Sequence, residues 1–512
     1  MDVQRRLAVF LNEFCAANAI NEVPTAEIVK NRAKNASVKA DCRIYVRPTQ
    51  LSVFQECIDS FIEQLLKCST SWPIPITKCS FHAEASYIEM WLPRAVAFES
   101  HLKVLLQDRK PLDKQCGGQV AFVYVPYTEP SFTSARTEML ATYTAACYTS
   151  EGFRTSIYIQ DIKNMNVPIG VTHIQHTDQV QHMSDEKVSE LLQQCQYYDN
   201  AIRTFNLQDY LQTKRDGAIS GYDKNIGYVS RDSVAFRTAA SLLGIVQSHF
   251  KVLPHVIVYV VPHGKSFVVQ NAGLIFDILY SLSAKIVIGT KQQYLVHDCV
   301  SARGCDSPEA CISLTKLYLR GAFIQRSQTR SVEDLERSIE ILAKTKLAFE
   351  ILGSKQSMKV TLKQADNYEG KGGLFVQYTS ARISALLSKY DDEVENGTYP
   401  ALSAIEDVDF SALDSDLEWK LWHSVDSCKH LLENMQLCQN SARLEVHAHK
   451  LCEELIAMCL AFGAFYSKVK VLVDPQQHLL GTMMARLWLI KGVHVTLRRM
   501  LEFLSLQPLD WM

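Results

Sequence analysis

The 512-residue sequence has no Cys-x-x-Cys pair, no glycine-rich cofactor loop and almost no net charge. It also has no apolar run near the ~20 residues that a bilayer span requires. Each absence removes a class of protein. The fifteen cysteines are scattered. With no secretory signal before them, they are expected to be the reduced thiols of a cytoplasmic protein, not a disulfide framework. Their densest group, His297, Cys299, Cys305 and Cys311, lacks the spacing of a zinc site, so no metal is expected. His447, His449 and Cys452 fall within one expected helix and read as core or surface. Arg5 and Arg6 are accompanied by Asp2 and Glu13, unlike the acid-poor leaders of mitochondrial import. Asn35-Ala-Ser and Asn396-Gly-Thr match glycosylation sequons, which carry no meaning without secretion.

Two strings resemble nucleotide loops and fail. His263-Gly-Lys-Ser266 could end a phosphate loop, but Tyr259 stands where the first glycine is required. Gly370-Lys-Gly-Gly373 lacks a preceding strand and a following Ser or Thr. No Gly-x-Gly-x-x-Gly follows a strand, so no cofactor site of a methyltransferase or dehydrogenase is expected. The formal net charge of -2 excludes a basic field over the whole surface. A nucleic-acid partner must therefore be met by locally gathered Lys and Arg.

Hydrophobic content of 47% and charged content of 21% suit a globular chain of several cores, roughly three at ~150 residues each. Residues 1–118 read as a small mixed α/β domain. Lys30, Arg32, Lys34, Lys39, Arg43 and Arg47 give it a basic stretch, a solvated face or a contact for a phosphate backbone. Tyr87–Leu92 reads as a strand and Ala97–Leu106 as a helix, and Cys116-Gly-Gly118 marks a boundary. Residues 119–330 alternate in period. Val120–Val125 and Thr155–Ile159 are strands around a helix at Thr133–Tyr148, which makes a βαβ unit with a parallel sheet. A helical stretch is expected over Asp185–Tyr210. A further helix is capped at Asp232 or Ser233 and ends near Phe250, and buried strands are expected at His255–Val261 and Lys285–Gly289. Residues 331–512 are helical. Ser331 caps a helix to Leu352, which Gly353 closes. Further helices are expected over Phe375–Tyr390, Leu413–Leu437, Leu444–Val473 and Leu479–Leu504, with an acidic connector from Asp391 to Asp409.

The most specific string is Gly372 to Leu387. Phe375, Tyr378, Ile383, Leu386 and Leu387 have the spacing of one helical face, and Gln377, Ser380 and Arg382 lie off it. Phe375-Val-Gln-Tyr-Thr-Ser-Ala-Arg-Ile383 resembles the helix that opens the anticodon-binding domain of arginyl-tRNA synthetases. Gln377-Tyr-x-x-Ala-Arg382 is its core. Ala461-Phe-Gly-Ala-Phe-Tyr466 resembles the Phe-Asn-x-Phe-Tyr segment of the same domain, with Gly463 in place of asparagine. The terminal Met512 also matches those synthetases.

That resemblance implies a class I catalytic domain upstream. There, a His-x-Gly-His turn at a helix N-terminus stabilises phosphate charge. Here Thr133, Ser134, Ala135 and Arg136 stand at the signature, and both histidines are gone. Residues 295–315 contain no Lys-Met-Ser-Lys type loop. The expectation is a retained Rossmann-like fold without aminoacylation. The N-terminal domain loosely resembles the appended domain that grips the tRNA elbow.

The whole pattern is similar to a synthetase-like family of DALR anticodon-binding-domain proteins that lack the catalytic signatures. It implies an α/β plus all-α chain: the mixed domain, a degenerate Rossmann-like domain and a helical-bundle anticodon-binding (DALR) domain. The partners it implies are arginine tRNA and a methyltransferase that makes 3-methylcytidine, with neither DNA nor membrane. Splayed bases stack on aromatic rings and phosphates meet Lys and Arg. By carry-over the tRNA contacts are Tyr378, Arg382, Tyr466, Lys468, Arg486, Arg498 and Met512, with Lys470 and Arg499 as further candidates. Phe375, Phe462 and Phe465 read as core. A divergent active ligase and a structural subunit without RNA binding are the alternatives.

Overall fold

The computed structural model describes residues 3–18, 20, 24–28, 41–47, 51–84, 86–107, 118–127, 129–160, 167–175, 185–213, 221–284, 289–324, 331–362, 372–433, 435, 437 and 441–511. Contacts divide the chain into two compact units, each assembled from three separate segments. One comprises Met1–Arg109, Arg382–Leu432 and Ala457–Leu497. The other comprises Lys110–Ala381, Glu433–Ile456 and Arg498–Met512.

The first unit opens with α1 (Val3–Ala17), β1 (Thr25–Ile28), β2 (Cys42–Tyr45), α2 (Leu51–Ser69), β3 (Lys78–His82), β4 (Tyr87–Trp91) and α3 (Arg94–Gln107). The strands form an antiparallel sheet in the order β1-β2-β4-β3. Alternation sets its faces: Cys42 and Ile44 are buried, and Tyr45 is exposed. The rings of Phe10 and Phe14 close on Phe61 at 5.5 and 4.8 Å. Of the basic stretch, Lys30, Arg32, Lys34 and Lys39 lie outside the described residues, as does Cys116. Arg43 is bound to Glu89, with Nη2 to Oε1 at 2.6 Å.

The second unit carries β5 (Val120–Val125), α4 (Phe132–Ser150), β6 (Arg154–Ile159), β7 (Val171–Ile174), α5 (Asp185–Gln193), β8 (Tyr198–Asp199), β9 (Thr204–Asn206), α6 (Leu207–Thr213), β10 (Tyr228–Ser230), α7 (Val234–His249), β11 (Val256–Pro262), α8 (Ser266–Ala284), β12 (Lys291–His297), β13 (Val300–Ala302), α9 (Pro308–Ile324), α10 (Val332–Leu352) and β14 (Val360–Leu362). Its six-stranded sheet has the order β15-β12-β11-β5-β6-β7, with β15 at Arg443–Leu444. Every pairing in it is parallel. The chain leaves β5 toward β6 and later returns to its other side as β11. The β5–β11 boundary is therefore a topological switch point, and α4 starts at its carboxyl end.

Three helix expectations change. The stretch Asp185–Tyr210 breaks after Gln193, because Asp199 Oδ1 accepts from Ala201 N (2.8 Å) and Ile202 N (3.3 Å) and Arg203 takes a φ of 53°. That local turn competes with helix, and the short β8 and β9 strands result. The helix expected from Leu444 starts at Ala448, since Leu444 pairs with β12 and Val446 N donates to Gln356 Oε1 at 2.8 Å. The helix expected from Leu413 starts at Asp416. There Glu418 N donates to Ser415 Oγ (3.3 Å) and Ser415 N to Glu418 Oε2 (3.1 Å), a complete capping box. Ser233 and Ser331 do cap α7 and α10. Gly353 closes α10 at a φ of -67°, not in the left-handed form. Its glycine is needed because a Cβ would meet Phe349 O at 2.6 Å. Residues 285–288 of one expected strand lie outside the described ones.

The remaining helices are α11 (Gly373–Glu395), α12 (Asp416–Glu433), α13 (Ala448–Tyr466) and α14 (Gln477–Phe503). Gly373 lets α11 start against α10, where a Cβ would lie 2.6 Å from Thr345 O. In the first unit Trp419 and Trp422 stack at 4.4 Å, and Phe98 meets both edge-on. Among the described residues one helical segment, His263–Ala284, is long and apolar enough to cross a membrane by composition. Its centre, Val269–Leu279, is buried in the core of the second unit, with Gln270, Asn271 and Asp277 among its buried residues.

Candidate nucleic-acid interface

The signature-like turn is the first turn of α4. Ser131 Oγ accepts from Ser134 N at 3.1 Å. Ser134 Oγ in turn accepts from Glu129 N at 3.2 Å. Thr133 Oγ1 accepts from Val300 N at 3.1 Å, and Ala135 packs on the small core around Phe132 and Cys311. Arg136 is 1% exposed. Its Nη1 donates to Asp298 O (3.1 Å) and Met358 O (2.7 Å), and its Nη2 to Lys355 O (2.8 Å) and Ser354 O (3.4 Å). Burial holds its pKa below the ordinary guanidinium value, although Asp298 and Cys299 oppose the shift. The turn is thus occupied by contacts to the chain itself.

His297 beside it is buried and bonded to Thr137 Oγ1 (2.8 Å) and Asp298 O (3.0 Å). Burial pushes its pKa down to about 4, with Arg136 adding to the effect. Among the described residues no three His, Cys, Asp or Glu side chains converge as a metal site. The stretch 295–315 is the end of β12, then β13 and the start of α9.

The carried-over contacts fall into separate groups. In the first unit, Arg382 and Tyr466 come together, with the guanidinium carbon 5.5 Å from the ring centroid. Tyr466 also stacks on Phe462 at 5.5 Å. An arginine on a half-exposed ring beside a buried one forms a platform of the kind a splayed base stacks upon. Phe462 and Phe465 are buried. Lys468 and Lys470 are exposed, and Lys470 Nζ is 3.2 Å from Asp474 Oδ1.

Arg486 is engaged elsewhere. Its Nε donates to Glu418 Oε1 at 2.8 Å and its Nη1 to Lys470 O at 3.2 Å. Glu418 has no solvent exposure, so Arg486 neutralises a buried carboxylate. In the second unit, Tyr378 is 42% exposed, off the buried face of α11, which runs instead through Val376, Ala381 and Ile383. Arg498 is paired with Asp510. Met512 lies outside the described residues. Gln377 is fully buried. Its Nε2 donates to Gln507 O (2.8 Å) and Thr345 Oγ1 (2.9 Å), and its Oε1 accepts from Leu509 N (2.8 Å). Ser380 Oγ, expected to meet a polar group, is buried without a partner among the described residues.

Two features escaped the sequence. Glu418 was legible as the fourth residue of Ser415-Asp-Leu-Glu418. A cluster of Lys355, His447, His449 and Lys450 had no such signal, because Lys355 is far from the other three in the chain.

These elements describe a parallel nucleotide-type sheet with a helical anticodon-binding region, the fold of arginyl-tRNA synthetases. The chain superposes over its full length on the Thermus thermophilus arginyl-tRNA synthetase, with a TM-score of 0.62 at 12% identity over 100% of both chains. It also superposes on the Plasmodium falciparum arginyl-tRNA synthetase, with a TM-score of 0.56 at 13% identity over 100% of this chain and 99% of that one. Residues 376–512 match the family model of the DALR anticodon binding domain, and the chain carries that domain. It is similar to the "DALR anticodon-binding domain-containing protein 3" of Danio rerio, at 30% identity over 181 residues, 33% of this chain and 32% of that one. The match thus spans about a third of that curated relative.

Proposed function

We propose that this chain is a non-catalytic, cytoplasmic tRNA-binding protein. It recognises arginine tRNAs through the anticodon-binding domain and presents them to a methyltransferase that forms 3-methylcytidine in the anticodon loop. The DALR domain supports tRNA as the ligand. The Arg382–Tyr466–Phe462 arrangement supports base stacking as the mode. The observation that carries the non-catalytic part is Arg136. In a working site, donors at this turn are held for a phosphate. Here the guanidinium is spent on four backbone carbonyls and Thr133 on Val300, so neither is available to a developing charge. Losing one preorganised donor costs ~100-fold or more in rate.

The test is direct. Purified full-length chain is mixed with ATP, arginine and tRNA, and separately with labelled arginine and non-arginine tRNAs. The expected result is no charged tRNA and tighter binding of the arginine set. Charged tRNA overturns the non-catalytic part, and equal or absent binding overturns the recognition part. The methyltransferase is tested by capture from cytosol with tRNA left intact and then removed by nuclease. A capture that yields no methyltransferase in either case overturns that part.

A further inference from the structure

We infer that the N-terminus of α13, together with Lys355, forms a binding site for one phosphate group of an RNA backbone, distinct from the aromatic platform. This deepens the proposed function and rests on its reading of the ligand as tRNA.

The first turn of a helix presents amides that have no intrahelical acceptor, and its field favours negative charge. Helices usually meet this with an acidic residue. α13 has none in its first turn; it places His449 and Lys450 there instead, with His447 just before it. A lysine at that end is unfavourable unless an anion lies between it and the amides.

The second observation is His449. It is 8% exposed, and its Nδ1 is buried without a hydrogen-bond partner among the described residues. Its ring stands edge-on to that of His447 at 5.9 Å. Lys450 and Lys355 act on both imidazoles and, with burial as the largest cause, hold their pKa values below the ordinary histidine value. Glu445 opposes this at His447 and Glu453 at His449. His447, Lys450 and Lys355 are exposed, so the cluster is open to a ligand. A buried imidazole nitrogen without a partner, beside two lysines at a helix N-terminus, has the chemistry of a phosphate oxygen site.

The loop that brings Lys355 here is fixed at both sides. Gln356 Nε2 donates to Leu444 O at 2.9 Å, and Gln356 Oε1 accepts from Val446 N at 2.8 Å, which ties the loop to the approach to α13. On its other side Arg136 holds Ser354 O, Lys355 O and Met358 O. The arginine at the lost catalytic turn therefore positions this lysine.

The experiment measures binding of the full-length chain to labelled arginine and non-arginine tRNAs across a salt series. Each phosphate contact contributes about 0.7–0.9 to the slope of log affinity against log salt. K355A/K450A is expected to make the slope shallower by about 0.7–0.9 and to weaken binding by about tenfold near 0.1 M salt, equally for both tRNA sets. K224A, which removes an exposed lysine outside the cluster, leaves the slope unchanged. H449F keeps a ring in the core but removes the buried nitrogen, and it weakens binding severalfold.

If wild-type chain binds tRNA and K355A/K450A matches its slope and affinity, the site is refuted while the tRNA-binding reading stands. If wild-type chain ignores tRNA, the RNA ligand and the functional reading both fall. Histidine NMR with inorganic phosphate then separates the sources. An upward shift of the His449 titration midpoint identifies a free phosphate as the ligand, and no shift ends the anion site altogether.

Discussion

Replacing Arg486 by alanine should destabilise the first unit before it affects any RNA. Glu418 is fully buried and accepts from Ser415 N, Ser415 Oγ (2.9 Å) and Arg486 Nε. Without the guanidinium, an ionised carboxylate remains in the interior with two neutral donors. Removing one member of such a pair costs about 3–5 kcal/mol, whereas replacing both with groups of similar volume is often neutral. With a urea dependence of about 1–3 kcal/mol/M, the midpoint of R486A should fall by roughly 1–5 M. Intrinsic fluorescence reports the right region, because every tryptophan of the chain except Trp511 lies in that unit. The double variant E418Q/R486M keeps an acceptor for Ser415 and leaves no buried charge, so it should recover most of the loss. A midpoint for R486A within about 0.2 M of wild type would refute this reasoning, as would a double variant no better than the single one. The double variant also decides the role of Arg486. If it folds and still binds tRNA at wild-type affinity, Arg486 is a structural residue and not an RNA contact.

Other substitutions test the remaining framework. R136M leaves the carbonyls of Ser354, Lys355 and Met358 without their donor and should cost at least about 3 kcal/mol, with faster amide exchange confined to 353–359; unchanged exchange there refutes the anchor. T133H/R136H, which puts a histidine at both ends of the signature-like turn, should yield no arginine-dependent ATP–pyrophosphate exchange, and measurable exchange overturns that expectation. Glu138 has its pKa raised to about 7 by burial, with Glu309 adding to it. Its folded pKa lies above its unfolded value, so its contribution is complete below about pH 4.5 and is lost as pH rises through about 7. E138Q should therefore be more stable than wild type above pH 7 by up to about 3 kcal/mol and no more stable at pH 4; parallel pH profiles contradict this. Q377L removes the partners of Gln507 O and Leu509 N, and should cost about 1–3 kcal/mol and raise proteolytic cleavage near residues 505–511. Intact tails at equal protease exposure argue against it.

Much of the fold was written in local pattern. Val120–Val125 and the helix read over Thr133–Tyr148, found at Phe132–Ser150, are visible because a buried parallel strand is a continuous apolar run and the pattern changes beyond it. α13 shows its stripe through Leu451, Leu455, Met458 and Phe462, all buried. Pattern failed where hydrogen bonding from a distant segment decides. Arg443–Leu444 joins the sheet because β12 is there to receive it, and no propensity at those residues says so. Tyr378 has the spacing of a core residue but is exposed, since the partners of α11 select a different face. Arg486 is named by family carry-over, and its bond to Glu418 is not legible there because Glu418 is 68 residues away in the chain. The family motif named Arg382 and Tyr466, which the structure brings together, but the motif alone could not show that Gln377 is spent on the backbone of 507 and 509.

The first unit is completed by Arg382–Leu432 and Ala457–Leu497 as well as by the opening segment. During synthesis, then, the opening segment leaves the ribosome long before the helices that finish its core exist. At roughly 5–20 residues per second it waits tens of seconds with apolar surface uncovered. A premature stop in α14 would leave the opening segment unfinished along with α14 itself. Lesions near the C-terminus should accordingly reduce the amount of protein in the cell by exposing the N-terminal segment to chaperones and proteases.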